Sequence, residues 1–252
     1  MRLENKVCIL TGASSGVGRE AALIFAREGA KVYAIARREN RLQELEAEAK
    51  EQNLKGEVIG VRCDVSNPED IEALFNKVEQ ENDSLDILIN NAGVMDDFEP
   101  VLETDVDAIK RLMEINVYGA FEMIKHSLKL MKNGGSIVTN ASIAGLRGGK
   151  AGVGYTMTKH ALIGLCRNVA AMYGNDNIRS NVVAPGGIQT EIMESFDNVS
   201  EKGMGVIMAG AKVDKMTATA KEVADNLLFF ASDESSNING AVLVSDAGLT
   251  NI

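Results

Sequence analysis

Short apolar runs alternate with longer amphipathic stretches along almost the whole chain. The apolar runs predict about seven strands, at residues 6–11, 31–36, 57–62, 85–89, 136–139, 179–184 and 241–245. Helical spacing of apolar residues predicts helices at 19–28, 39–52, 68–81, 155–173 and 221–231, and one or two helices within 105–131. Strands with few polar positions are typical of a sheet that is covered on both faces.

This repeated strand–helix order predicts a fold of the α/β class. Specifically, it predicts one doubly wound, Rossmann-type domain, with a mostly parallel sheet and helices on both faces. The length of 252 residues fits one large domain or two small ones, and no Pro- or Ser-rich linker, repeat or low-complexity stretch marks a boundary. We therefore expect one domain over residues 1–252, in which residues 191–215 form a long insertion of weak pattern.

Composition and charge exclude several classes of function. The net charge is −10 and no basic run is present, so a nucleic-acid partner is not expected. No apolar run approaches the roughly 18 residues of a membrane span. The cysteines Cys8, Cys63 and Cys166 lie far apart, so neither a disulfide framework nor a metal site is expected. The first residues run directly into a strand-like segment without a signal peptide, which favours a cytoplasmic location.

A glycine-rich turn lies between the first strand and the first helix, over residues 11–18. Gly12, Gly16 and Gly18 allow the backbone to approach a pyrophosphate, and the N–H groups of the helix that follows can bind its negative charge. Three glycines alone also fit a simple tight turn. The position of the turn, directly after strand one, favours dinucleotide binding.

The G-x-x-x-G-x-G spacing of this turn resembles that of the short-chain dehydrogenase/reductase family. Further motifs of that family follow in order along the chain: Asp64-Val65, Asn90-Asn91-Ala92-Gly93, Asn116, Ser142, Tyr155 with Lys159, and Pro185-Gly186. The resemblance covers nearly the whole chain. Two departures are mild, because Thr158 replaces a serine with another hydroxyl residue and Asn140-Ala141 precedes the retained Ser142.

The resemblance implies a role for each matched residue. It assigns a catalytic tetrad to Asn116, Ser142, Tyr155 and Lys159. It places the cofactor on the turn and on residues that follow the strands, namely Gly12, Ser14, Ser15, Gly16, Val17, Gly18, Asp64, Val65, Asn91, Ala92, Gly93, Tyr155, Lys159, Ile188 and Thr190. It further implies that Lys159 contacts the nicotinamide ribose and that Asn116 holds a water behind it.

The end of the second strand bears on the choice of cofactor. An acidic residue there would bind the adenosine ribose hydroxyl of NAD, but this chain has Ala36 followed by Arg37 and Arg38. Arginine pairs well with phosphate. We therefore predict NADP(H), with Arg37 on its 2′-phosphate and help from Ser14 or Arg38. The alternative is a solvated pair that opens a charged helix.

Carbonyl reduction needs a proton donor, and Tyr155 can supply the proton. Lys159 lies four residues later and so on the same helical face. Its ammonium is expected to lower the phenol pKa, by up to about three units for a pair about 4 Å apart. Ser142 would stabilise the substrate oxygen. In isolation, the same residues also fit an ordinary helix tyrosine with an exposed lysine and a serine that ends a strand.

The insertion at residues 191–215 is, by resemblance, the substrate loop. Its apolar residues are Met193, Phe196, Met204, Val206, Ile207 and Met208. Methionines form adaptable apolar walls, so we predict a bulky hydrophobic ketone or alcohol such as a steroid or bile acid. Packing against neighbouring helices or subunits is the alternative explanation for these residues.

Two other functions remain open at this point. One is reduction of a 3-oxoacyl group on an acyl carrier protein, which the net negative charge disfavours because such carriers are themselves acidic. The other is a regulator that binds the dinucleotide without turnover, which the intact Tyr155 and Lys159 pair disfavours. The resemblance also implies a homotetramer.

Overall fold

The computed structural model describes residues 1–189, 198–210 and 217–251. Within these residues, seven strands form one sheet in which every neighbouring pair is parallel. A second pair of short parallel strands lies apart from it. In chain order the strands are β1 Val7–Thr11, β2 Lys31–Ala36, β3 Glu57–Arg62, β4 Ile87–Asn90, β5 Gly135–Asn140, β6 Ile178–Pro185, β7 Gly187–Gln189, β8 Thr217–Thr219 and β9 Val242–Ser245.

Helices cover both faces of the large sheet. Their bounds are α1 Gly16–Arg27, α2 Glu39–Glu51, α3 Pro68–Glu81, α4 Val106–Met113, α5 Gly119–Leu130, α6 Val153–Tyr173, α7 Glu201–Ala209 and α8 Ala220–Ala231. One hydrophobic core joins the sheet to α1, α2 and α8, and a second joins it to α3 and α5. The sequence-based prediction of a doubly wound α/β fold is confirmed.

The strands lie in the order β3-β2-β1-β4-β5-β6-β9. From β1 the chain adds strands toward one edge of the sheet, and from β4 it adds them toward the other edge, so the order of addition reverses between β1 and β4. In open parallel sheets, ligands bind in the crevice outside the carboxyl ends of the two strands at such a reversal. The motifs that follow β1, β2, β4 and β5 therefore converge on one edge of the sheet.

Several element boundaries differ from those that the sequence pattern predicts. The region 105–131, predicted to hold one or two helices, contains α4 and α5, and they are joined by an unpredicted π-helical segment at Glu114–Tyr118. Helix α6 begins at Val153, two residues before the predicted start. Helix α7 lies in the predicted insertion, where no helix was expected, and the rest of that insertion falls mainly outside the described residues.

All three cysteines are buried and unpaired, as their spacing predicts. None of the helices in the described parts of the chain is long and apolar enough to cross a membrane.

Candidate active site

The turn after β1 is packed too closely for side chains at two of its glycines. Gly12 has φ +73°, and a Cβ there would lie 2.8 Å from the side-chain nitrogen of Asn91. A Cβ on Gly18 would overlap the carbonyl oxygen of Gly12. Helix α1 starts here with Ser15 as its N-cap, and the Ser15 side chain makes no capping hydrogen bond to its N–H groups. The turn therefore has the shape and the free donors that a pyrophosphate requires.

Asn91 holds the floor of this crevice together. Its Nδ2 donates to the carbonyl oxygens of Thr11 and Gly12, and its Oδ1 accepts from Asn140 Nδ2 at 2.9 Å. The Thr11 hydroxyl accepts from the backbone N–H groups of Asn91 and Ala92. The predicted cofactor residue Asn91 thus joins the ends of β1, β4 and β5, and its amide is used within the protein.

Sequence reasoning missed Thr11 and Asn140 as members of this network. Thr11 is fully buried at the end of an apolar strand. A buried hydroxyl there was a signal, because buried polar groups are normally hydrogen-bonded.

The two arginines after β2 make different contacts. Arg38 donates from Nε and Nη2 to the Ser14 hydroxyl, at 3.2 and 2.9 Å, and from Nη2 to the Ser15 hydroxyl at 2.8 Å. Arg37 is exposed, and its Nη1 lies 3.8 Å from Asp64 Oδ2. The structure therefore places a cationic pair and two hydroxyls at the outer end of the glycine turn.

Asp64 and Val65, which the resemblance assigns to the cofactor, follow β3. Burial acts to raise the pKa of Asp64, but hydrogen bonds from Ser66 and the positive charge of Arg37 outweigh it, so that the pKa lies below its usual value. Val65 is buried, and its carbonyl oxygen would lie 2.8 Å from a Cβ on Gly119 of α5. This close approach fixes the wall of the crevice.

Tyr155, Lys159 and Ser142 come together at the end of β5. Lys159 Nζ lies 5.1 Å from the centre of the Tyr155 ring and donates to the carbonyl oxygen of Asn140 at 3.1 Å. The Ser142 hydroxyl accepts from the Ala144 N–H at 3.1 Å and acts to lower the pKa of the Tyr155 phenol. The arrangement places a phenol, a hydroxyl and a buried amine beside the dinucleotide crevice.

The pKa values of this cluster correct one expectation. Burial, and next the negative charge of Asp96, raise the pKa of Tyr155 well above its usual value, against the hydrogen bond from Ser142. Burial lowers the pKa of Lys159 to about 8. The predicted lowering of the phenol pKa by Lys159 is therefore wrong for the protein alone. Desolvation, which a Coulomb attraction alone does not include, opposes both charged forms.

Asn116 lies in the π-helical segment, and its side chain is buried. Its Oδ1 accepts from the Val94 N–H at 2.8 Å, and its Nδ2 donates to the Val94 carbonyl oxygen and to the Thr158 hydroxyl. A Cβ on Gly93 would lie 3.3 Å from Asn116 Oδ1 and 3.8 Å from Lys159 Nζ. Asn116 therefore lies near Lys159 and anchors the loop after β4 to α6.

The remaining predicted residues have these positions. Ala92 and Gly93 follow β4 at the floor of the crevice, and Ile188 lies on β7, where it packs against the core that contains α1 and α8. Thr190 lies outside the described residues.

Asp96 is a buried carboxylate that the sequence reasoning did not single out. It accepts hydrogen bonds from the backbone N–H groups of Gly152 and Tyr155, at the start of α6. No spacing rule links it to Tyr155, because the contact joins positions 59 residues apart.

Comparison with known proteins agrees with this geometry. The family described as enoyl-(acyl carrier protein) reductase matches residues 12–250. The chain is 35% identical over 250 residues to 3beta-hydroxysteroid dehydrogenase 2 of Eggerthella lenta, which covers 98% of this chain and 95% of that protein. It is 35% identical over 253 residues to a 3-oxoacyl-(acyl-carrier-protein) reductase of Thermotoga maritima, with 99% of each chain covered.

A solved structure gives the same result. A protein described as a putative short-chain dehydrogenase/reductase from Burkholderia xenovorans matches with a TM-score of 0.89 at 30% identity, over 100% of this chain and 98% of that one. The sheet reversal and the glycine turn define the class as α/β oxidoreductases that bind a dinucleotide. The chain belongs to the short-chain dehydrogenase/reductase family, whose members bind a nicotinamide dinucleotide and act on small molecules.

Proposed function

We propose that this protein uses NADP(H) to interconvert a ketone and a secondary alcohol on a bulky hydrophobic substrate such as a steroid or bile acid. The observation that carries the proposal is the cluster of Tyr155, Ser142 and Lys159 beside the glycine turn. We also propose one catalytic domain over the whole chain, a cytoplasmic location and a homotetramer.

In this proposal the bound nicotinamide supplies or accepts the hydride. The glycine turn binds the pyrophosphate, and Asp64 and Val65 bind the adenine. Tyr155 gives its hydroxyl proton to the oxygen of the reduced carbonyl, and Ser142 donates a hydrogen bond to the same oxygen. Because the pKa of Tyr155 is raised, the phenol stays protonated at neutral pH, which suits the reductive direction.

Lys159 and Asn116 help to hold Tyr155 in place. The Lys159 amine is held by the Asn140 carbonyl oxygen and lies over the phenol ring. With a pKa of about 8 it is mainly protonated at neutral pH. Asn116 fixes the loop that packs next to this amine.

The preference for NADP(H) rests on Arg37 and Arg38. Arg38 donates hydrogen bonds to the hydroxyls of Ser14 and Ser15. The three side chains therefore place hydrogen-bond donors at the outer end of the turn. Replacing either arginine by alanine should lower kcat/KM with NADPH by about 10- to 100-fold, the size of one or two charge-assisted contacts. The same variants should leave kcat/KM with NADH within about threefold.

Arg41→Ala is the matched control, because Arg41 lies within α2 and pairs with Glu44. It should retain the preference for NADPH. A wild-type protein that works better with NADH would contradict the cofactor proposal.

The exposed apolar side chains of α7 support the choice of an apolar substrate. Helix α7, the described helix of the insertion, has no buried side chain. Its residues Val206 and Met208 are more than half exposed. Val206 also lies next to Gly149, in the segment between β5 and α6. The named activity of the Eggerthella lenta relative agrees with a steroid. Met193 and Phe196 lie outside the described residues.

A substrate panel with NADPH tests this choice. Steroid and bile-acid ketones should be reduced with the highest kcat/KM, ahead of small sugars. The second candidate is a 3-oxoacyl thioester, which is favoured by the identity to the Thermotoga maritima reductase. Highest activity on such a thioester would replace the steroid proposal, and activity confined to small sugars would contradict both.

A further inference from the structure

The first turn of α6 is capped by a carboxylate from a distant segment. Asp96 Oδ1 accepts from the N–H groups of Gly152, at 3.0 Å, and Phe98, at 3.3 Å. Its Oδ2 accepts from the Tyr155 N–H at 2.8 Å. Helix α6 has no side-chain cap of its own, because Gly152 is its N-cap residue. Asp96 thus supplies the acceptors that the helix start would otherwise lack.

The fit of this carboxylate is close. Asp96 is 7% exposed, and a Cβ on Gly152 would lie 2.5 Å from its carboxyl atoms. Among the described residues Asp96 makes no ion pair, so its charge is balanced by the backbone N–H groups and by the positive end of α6. A buried carboxylate is costly unless it is hydrogen-bonded in this way.

The segment that carries Asp96 also contacts α7. Phe98 has φ +64°, and its carbonyl oxygen faces Gly203 so closely that a Cβ there would overlap it. The Ser200 N–H donates to the Asp97 carbonyl oxygen at 2.9 Å, and the Ser200 hydroxyl donates to Glu103 at 2.7 Å. Asp96 therefore stands between the helix that carries Tyr155 and the helix next to the predicted substrate site.

We propose that Asp96 is a positioning residue for the reaction, because it fixes the backbone of Gly152 and Tyr155 and so holds the Tyr155 phenol against Ser142. The proposal rests on the proposed role of Tyr155 as proton donor. Asp96 acts through Tyr155 and contacts neither substrate nor cofactor. It thereby also sets the relation between α6 and α7.

The charge of Asp96 adds a second effect that a purely structural cap would not have. Asp96 and Ser142 act on the Tyr155 phenol, and Lys159 Nζ lies 5.1 Å from the centre of its ring. A negative charge disfavours the phenolate, so Asp96 raises the pKa of Tyr155 while Ser142 lowers it. Removing the charge at fixed shape should make Tyr155 ionise at lower pH.

The test compares Asp96→Asn and Asp96→Ala with Asp97→Asn, which removes a neighbouring charge whose side chain makes no hydrogen bond in the described part of the chain. Two readouts are used. One is kcat and KM for the best ketone together with the Kd for NADPH. The other is a tyrosinate absorbance titration with the Tyr155→Phe spectrum subtracted, which is clean because the chain has four tyrosines and no tryptophan.

Asp96→Asn should lower kcat by about tenfold or more, keep the Kd for NADPH within about twofold, and shift the tyrosinate titration of Tyr155 to lower pH than in the wild type. Asp96→Ala should lower kcat further. Asp97→Asn should match the wild type in both readouts.

The proposal is overturned if Asp96→Asn leaves kcat and the titration at their wild-type values. It is equally overturned if kcat falls only with thermal stability while the titration is unchanged, because that is the result of a structural cap. The titration needs no substrate. A wild-type protein that reduces no ketone would therefore refute the proposed function, while the titration would still decide the role of Asp96.

Discussion

At the scale of single residues, burial changes the chemistry of Tyr155 and Lys159 in opposite directions. The phenol pKa is raised and the amine pKa is lowered to about 8. Both shifts favour the neutral form, because a low-dielectric site disfavours charge of either sign. Their residue types and spacing were readable from the sequence. Their pKa values were not, since burial and the distant Asp96 both depend on the fold.

Tyr155→Phe tests the proton donor. The loss of the hydroxyl should lower kcat by roughly 10²- to 10⁴-fold, the usual contribution of a general acid. The Kd for NADPH, from equilibrium titration, should stay within about twofold. Tyr173→Phe, at the far end of the same helix, should have no effect on kcat. Near-normal turnover by Tyr155→Phe would remove Tyr155 from the mechanism.

Lys159→Met tests the cost of a buried amine. The pKa of Lys159 is about 8 in the folded protein and 10.5 in the reference state. At pH 7 the charged amine therefore destabilises the fold. The free energy of unfolding of the variant should be higher than that of the wild type by about 1–3 kcal/mol, once the lost hydrogen bond to Asn140 is subtracted. Activity should be lost.

The pH dependence has a definite sign. Between pH 8 and 10.5 the unfolded wild type binds more protons at this site than the folded one, so the stability of the wild type rises with pH. The advantage of Lys159→Met should shrink across that window. Urea unfolding at several pH values measures it, and a variant less stable than the wild type at pH 7 would show that the amine is stabilising.

At the scale of elements, the seven strands of the large sheet were predicted well. The inner strands have both faces buried, and their apolar runs are nearly continuous. The π-helical segment at Glu114–Tyr118 was not predicted, because local spacing does not distinguish it from an α-helix. Helix α7 was also missed. It has no buried side chain, so it lacks the apolar periodicity on which sequence reasoning depends.

Two glycines on α7 offer a matched pair of substitutions. A Cβ on Gly203 would overlap the Phe98 carbonyl oxygen, whereas a Cβ on Gly205 would meet nothing within 4 Å. Alanine raises helix propensity at both positions by about 1 kcal/mol. Gly203→Ala should displace α7 and raise KM for the ketone by about three- to tenfold, whereas Gly205→Ala should leave it unchanged. Equal KM values for the two variants would show that the contact with Phe98 does not shape the substrate site.

At the scale of the whole molecule, the topology explains why the motifs converge. Four different strands lead into the site, because the glycine turn follows β1, the arginines follow β2, Asn91 follows β4 and Ser142 follows β5. Parallel strands bring their carboxyl ends to one edge of the sheet. Sequence order therefore predicted most of the candidate site. What it could not predict were contacts across long separations, such as those of Thr11, Asn140 and Asp96.

Ligand binding should stabilise the whole fold. At about 100 times its Kd, NADPH adds roughly 2.7 kcal/mol, which corresponds to a rise in Tm of about 5–10 °C for a domain of this size. NADH at the same concentration should give a smaller rise. Differential scanning fluorimetry measures both, and equal shifts would count against the arginine pair as the basis of cofactor choice.

The lack of buried side chains on α7 has a practical consequence for redesign. Its sequence can be exchanged for that of another helix without opening a hole in the interior, provided that glycine is kept where Phe98 approaches. The crevice floor offers no such freedom, since a single methyl group at Gly18 would collide with the main chain. If α7 borders the substrate as proposed, new substrate preferences are best introduced by replacing α7 while the glycine turn is left unchanged.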